Sequence, residues 1–204
     1  MSKNHVLAYN LQQAFRRYSA NKAIRIGTGT WTYGELNSEA VAIARAIMDT
    51  GALTGAPVAV LGARSFITYA GICGALFASG SYMPLNLKFP ASRNAKMLEL
   101  SGAGIIVADE NAEGMLSQLL ANGGGPFHVI LNSATLKWAD EYPGHRFYTI
   151  QGEEDRQPPP ITAGPADTAY LLFTSGTTGF PKGVPVSNRN VMAYLDHMRS
   201  KWDF

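Results

Sequence analysis

From Val6 to Tyr18 the apolar positions Leu7, Leu11, Ala14, Phe15 and Tyr18 recur at three- and four-residue spacing, which predicts an amphipathic helix docked on the domain. Two short β-prone runs, Lys22 to Ile26 and Thr30 to Thr32, flank the glycine turn at Gly27 to Gly29, the pattern of a hairpin. Thr32 and Glu35 then stand three apart, as a capping box requires, and Leu36, Ala40, Val41, Ala44, Ile47 and Met48 fall on one face of a helix that Gly51 ends.

Beyond Gly51 the pattern alternates. It predicts strands at Pro57 to Leu61, Tyr82 to Leu85, Gly104 to Ala108 and Phe127 to Leu131, separated by helices at Phe66 to Ser79, Ala91 to Ser101 and Ala112 to Leu120. Strands joined through helices imply crossover connections and a largely parallel sheet. The runs Val58 to Leu61, Ile105 to Ala108 and Tyr170 to Phe173 are continuously apolar, as strands buried on both faces are. The fold class expected is therefore α/β, a doubly wound, largely parallel sheet with helices on both faces. Gln151 to Pro165, with Glu153, Glu154 and Asp155 followed by three prolines, reads as a surface loop or linker. It divides residues 1–165 from 166–204. Ser187 is placed to cap a last helix through Lys201, with Val191, Tyr194, Leu195 and Met198 on one face.

Composition narrows the function classes. The 204 residues are 46% hydrophobic and 16% charged, the balance of a globular domain with a core. A formal net charge of +2 from scattered Lys and Arg gives no footprint for nucleic acid. The most apolar stretch, Phe66 to Ser79, is shorter than the roughly 20 residues that cross a bilayer, so no membrane partner is expected. Polar residues interrupt the first 18 positions, so no signal peptide is read there, and the single cysteine, Cys73, fits a buried thiol in a reducing cytoplasm. His5, His128, His145 and His197 have no metal-ligand spacing, so a metal site made by the protein alone is not expected.

The chemistry concentrates after the strand Ala169 to Phe173, in Thr174, Ser175, Gly176, Thr177, Thr178, Gly179, Phe180, Pro181, Lys182 and Gly183. Glycines let backbone amides approach an anion closely, hydroxyls add donors, and a lysine offers a point charge to phosphate oxygens. The run reads as a polyphosphate cradle. The Walker A spacing fails, because Gly176 is followed by Gly179 and Lys182 by Gly183, and no Gly-x-Gly-x-x-Gly fingerprint is present.

The segment Tyr170 to Val184, YLLFTSGTTGFPKGV, resembles the signature of the adenylate-forming superfamily of acyl- and aryl-CoA synthetases, firefly luciferase and the amino-acid adenylation domains of nonribosomal peptide synthetases. Upstream, Trp31 to Asn37 is similar to that family's Thr-Tyr-x-Glu-Leu element, and Ala78 to Pro90 with Arg93 to its Gly-x-Tyr-x-Pro-Leu-Asp element, in the tyrosine-led form of amino-acid adenylation domains and stand-alone carrier-protein ligases. Asn86 replaces the usual aspartate, and Asn188 stands where histidine is frequent. Both upstream elements are also explained locally, as a helix cap and a turn.

The resemblance implies an ATP-dependent ligase, with Mg2+ entering with ATP. A small carboxylate, most simply an amino acid, attacks the α-phosphate and releases pyrophosphate, and the acyl group passes to a thiol of phosphopantetheine on a carrier protein or of CoA. Thr174, Ser175, Gly176, Thr177, Thr178, Gly179 and Lys182 are the residues it assigns to nucleotide binding, and it places no catalytic residue in this chain. Family members continue for several hundred residues beyond the signature, whereas 21 follow Gly183 here. The expectation is an N-terminal portion: an α/β subdomain at 1–165, then the phosphate loop and the start of the next subdomain, inactive alone and prone to self-association through an uncovered sheet edge. The alternative is a non-catalytic relative that binds nucleotide or a protein partner.

Overall fold

A computed structural model describes residues 5–78, 80–122, 124–132, 135–150, 157–175 and 180–202. Helix α1 (Leu7–Arg17) precedes a two-stranded antiparallel sheet of β1 (Lys22–Ile26) and β2 (Gly29–Thr32). Helix α2 (Tyr33–Asp49) begins on the expected capping box: Thr32 Oγ1 accepts from the Glu35 amide at 3.2 Å, and the Glu35 carboxylate accepts from the Thr32 amide at 2.7 Å. Those hydrogen bonds hold the exposed Glu35 carboxyl below its ordinary pKa.

The alternating pattern follows in order: β3 (Val58–Leu61), α3 (Phe66–Phe77), β4 (Tyr82–Leu85), α4 (Ala91–Ser101), β5 (Ile105–Ala108), α5 (Glu113–Asn122), β6 (His128–Leu131), α6 (Thr135–Glu141), β7 (Arg146–Thr149), β8 (Thr168–Ser175), β9 (Pro181–Ser187) and α7 (Asn188–Lys201). One seven-stranded sheet runs β7-β6-β5-β3-β4-β8-β9, parallel throughout except for the antiparallel pair β8/β9. The doubly wound reading stands, because successive residues of each short strand enter opposite cores. Ile105 and Val107 join the core under α1, α2 and α3, while Ile106 and Ala108 join the one under α4, α5 and α6. A fully buried side chain such as Ile106 contributes about 1.5–3 kcal/mol relative to exposure. Helix α4 ends on Gly102, whose φ of 67° is the left-handed cap that favours glycine. Burial pushes the Cys73 thiol up to about 12, so it stays protonated at neutral pH.

Several expectations are corrected. No element was expected between Leu131 and Gln151, yet α6 and β7 lie there; β7 is an edge strand of mixed burial, and α6 has seven residues, too few to show a period. Trp138, Tyr142 and Phe147 stack beneath them. Met48 is exposed rather than on the buried face of α2. Ser187 does cap α7, accepting from the Asn190 amide at 3.3 Å, but the buried positions of that helix are Asn188 and Met192, and Tyr194 is exposed. The phosphate-loop strand β8 is neither central nor an open edge, since it sits between β4 and β9.

The linker reading also changes. Its residues 151–156 lie outside the described set, but 157–167 form a strap rather than a free loop. Passing from β7 to β8 means crossing β6, β5, β3 and β4, and the strap does so over the first helical layer. Arg45 donates to the Gln157 carbonyl at 2.7 Å and Gln12 to the Pro159 carbonyl at 3.3 Å, while Ile161 and Ala163 pack on the core. Helices α2 and α3 meet closely because Gly74 has no side chain: a Cβ there would lie 2.7 Å from Ile43 Cγ2 and 3.0 Å from the Ala40 carbonyl oxygen. Gly74→Val should therefore lower stability by about 1–3 kcal/mol in urea denaturation. An unchanged midpoint would mean the two helices separate freely.

Candidate functional site

The parallel strands β3, β4, β5 and β8 deliver their carboxyl ends, and the turns that follow, to one rim of the sheet. The chain leaves β3 toward β4 but leaves β5 toward β6, so the winding reverses between β3 and β5; ligands of open α/β sheets bind outside such a reversal. A cleft of about 860 Å3 opens along this rim, with Arg64, Tyr69, Lys88 and Phe89 on its walls and Leu172 and Phe173 of β8 on its floor. Arg64 and Lys88 are its charged groups, and none of its described wall residues is acidic.

β8 reaches the rim from a buried start. Ala169 is fully buried, and Tyr170 pairs in register with Tyr82 of β4, their rings 5.7 Å apart. Burial chiefly, with Tyr170 and Cys73 nearby, raises the Tyr82 hydroxyl pKa. From Tyr170 outward β8 pairs with β9 as far as Thr174 opposite Lys182 and Ser175 opposite Pro181. The ten-residue run read as a loop is therefore strand at both ends. Directly opposed residues share a face, so Thr174 and Lys182 stand side by side near the turn end of the hairpin, where Thr174 Oγ1 donates to the Lys182 carbonyl at 3.5 Å. Lys182 is exposed and, among the described residues, takes part in no ion pair. Gly176, Thr177, Thr178 and Gly179 lie outside the described residues. Of the seven expected binding residues, the backbone thus brings Thr174, Ser175 and Lys182 together.

Two residues outside the expected binding set hold these elements, Asp109 at the rim and Asn188 at the opposite end of β8 and β9. Asp109, 4% exposed at the end of β5, accepts through Oδ2 from the Ala63 amide at 3.1 Å, Ser65 Oγ at 2.6 Å and Thr68 Oγ1 at 3.2 Å. It ties down the turn that carries Arg64, and a side chain on Gly62 would collide with this carboxylate. The signal available in sequence was an acidic residue directly after an apolar strand; its partners in the Arg64 turn, Ala63, Ser65 and Thr68, are more than 40 positions away. Asn188 is the other, a buried amide just past β9.

The two upstream motifs are local structure. Asn86 Oδ1 accepts from the Lys88 amide at 2.8 Å, a turn that aspartate would make equally, and the buried Asn94 donates to the Asn86 carbonyl at 2.9 Å. Arg93 lies over the Phe89 ring at 4.3 Å.

A family model described as AMP-binding enzyme matches residues 11–204. The chain belongs to the AMP-binding enzyme family. Its curated relatives include bacitracin synthase 3 of Bacillus licheniformis, 35% identical over 85% of this chain and 2% of that protein, and tyrocidine synthase 3 of Brevibacillus parabrevis, 31% identical over 92% of this chain and 3% of that protein. Among solved structures, IdnL7 is 32% identical with a TM-score of 0.82, covering 98% of this chain and 38% of that one. The Vibrio cholerae adenylation domain AlmE, in complex with glycyl-adenosine-5'-phosphate, has a TM-score of 0.86 at 22% identity over 96% of this chain and 38% of its own, a likeness of fold. This member of the family thus spans well under half of each of these relatives.

No helix among its described residues is long and apolar enough to cross a membrane, and none of its described His, Cys, Asp and Glu residues group in threes to hold a metal ion. Asp109→Ala should remove about 3 kcal/mol of stability, since the Ala63 amide and the Ser65, Thr68 and Asn111 side chains lose a charged acceptor inside the fold. Asp109→Asn should lose less; equal midpoints for all three proteins in chemical denaturation would show that the turn holds itself.

Proposed function

We propose that this chain is the nucleotide-phosphate-binding portion of an adenylate-forming ligase that activates a small carboxylate, in the simplest case an amino acid, and passes it to a thiol of a carrier protein or CoA. The observation that carries the reading is the turn end of the hairpin, where Thr174 and Ser175 oppose Lys182 and Pro181 on the rim of a family fold whose cleft walls hold Arg64 and Lys88 without an acidic side chain. That donor set suits a polyanion. Kinship with bacitracin and tyrocidine synthases and the glycyl-adenylate bound to AlmE favour an amino acid.

In the reaction proposed, a carboxylate oxygen attacks the α-phosphorus of MgATP and the bond to the bridging oxygen of pyrophosphate breaks. Negative charge gathers on the departing pyrophosphate. Hydroxyls of Thr174, Ser175, Thr177 and Thr178, amides of Gly176 and Gly179 and the Lys182 ammonium would offset that charge, and they do so best if held in place beforehand. Magnesium is proposed to arrive with ATP. We read 1–165 as the α/β subdomain and 166–204 as the phosphate-loop region opening the next one. A lone buried Cys73 favours a reducing, cytoplasmic setting.

Calorimetric titration with MgATP and with magnesium pyrophosphate is the test, repeated on Lys182→Ala and Gly176→Val. Binding by the parent that weakens at least about tenfold in both variants is expected, the loss of one charge-assisted contact being of that order. Equal binding by all three would remove the loop from the reading. Self-association is proposed through the outer edge of β9, where Val184 is exposed beside Leu172 and Phe180 is 67% exposed. Sedimentation equilibrium should then show dimers or larger species, and a monomer at all concentrations would discard that part.

A further inference from the structure

The β8–β9 hairpin has, among the described residues, a strand neighbour on one side only, and β9 is exposed from Lys182 to Pro185, so the direction in which its turn end points depends on how its base is held. The last ladder pair at that base is Thr168 opposite Ser187. We propose that Asn188, the next residue, is the positioning residue of the hairpin, and that it locks the hairpin base to the first helix of the chain.

Its side chain is 2% exposed and every bond it makes is long-range. Nδ2 donates to the carbonyls of Gly164 and Asp167, each at 3.2 Å, which belong to the end of the strap entering β8. Oδ1 accepts from the Leu7 amide at 3.0 Å. Leu7 is the first residue of α1, whose N-cap Val6 has no side-chain acceptor, so Asn188 serves from 181 positions away as the cap that α1 lacks. The backbone reinforces the lock, with the Asn188 amide donating to the Asp167 carbonyl at 2.9 Å and the Arg189 amide to that of Pro165 at 2.8 Å. A primary amide suits this place because it donates twice and accepts on one planar group. A carboxylate of the same shape would keep the bond to Leu7 and face two carbonyl oxygens with no proton to offer.

The consequence is that the strands bearing Thr174 and Lys182 are held at their base through α1. This role rests on the reading of the hairpin as the phosphate-binding element, but its test needs no nucleotide, so either can fail alone. Amide hydrogen exchange on the whole chain is compared with Asn188→Ala and the isosteric Asn188→Asp. In both variants, protection across 168–175 and 181–187 should fall about tenfold, the order expected for losing a buried hydrogen-bonded node, with Leu7 losing protection in Asn188→Ala and keeping it in Asn188→Asp, while β3, β5 and β6 exchange as in the parent. Parent-like exchange in Asn188→Asp would show that the side chain only fills space. A loss spread equally over β3, β5 and β6 would make it a general stabiliser. Either result overturns the proposal.

Discussion

Everything on the rim depends on strands that are buried on both faces. Four residues such as Ile105–Ala108 supply two side chains to each core, and neither core tolerates a polar group without a partner. Chemistry is thereby excluded from the body of the sheet and exported to the turns beyond the strand ends. Those turns have no core of their own. They are held by single buried polar groups, the carboxylate of Asp109 for the turn after β3 and the side-chain amide of Asn94 for the turn after β4.

The elements with a strong period were legible in the sequence: the capping box at Thr32, the buried runs of β3 and β5, and the alternation that sets the parallel sheet. What escaped has a physical reason in each case. β7 is half-buried at an edge, so its apolar signal is diluted, and β9, with Lys182, Gly183 and Pro185, has the composition of a turn and takes its strand form from pairing with β8. The strap looked like linker because prolines and acids mark both, and tertiary contacts such as those with Gln12 and Arg45 distinguish them. At the site, residue types pointed to Thr174 and Lys182 as parts of one phosphate cradle, but no local pattern could link Asp109 to Ser65 or Asn188 to Leu7.

The two asparagines that depart from the family pattern show how a substitution can be silent in one place and specific in another. At Asn86 the bond that matters is accepted by an oxygen, which amide and carboxylate both possess. At Asn188 two of the three side-chain bonds are donated, and a carboxylate has no proton with which to make them.

The position of β8 in the sheet has a consequence for biosynthesis. Tyr82 pairs with Tyr170, so 170 − 82 = 88 residues separate the partners, while β3, β5, β6 and β7 lie on the other side of β4 and leave the ribosome first. During translation β4 is therefore the exposed border of a nearly finished sheet, with Tyr82 waiting for a strand not yet made. The strap must be synthesised and laid across α1 and α2 before that border closes. For the nascent chain, the interval between β7 and β8 is when a foreign strand competes best for the place that the phosphate-loop hairpin will take.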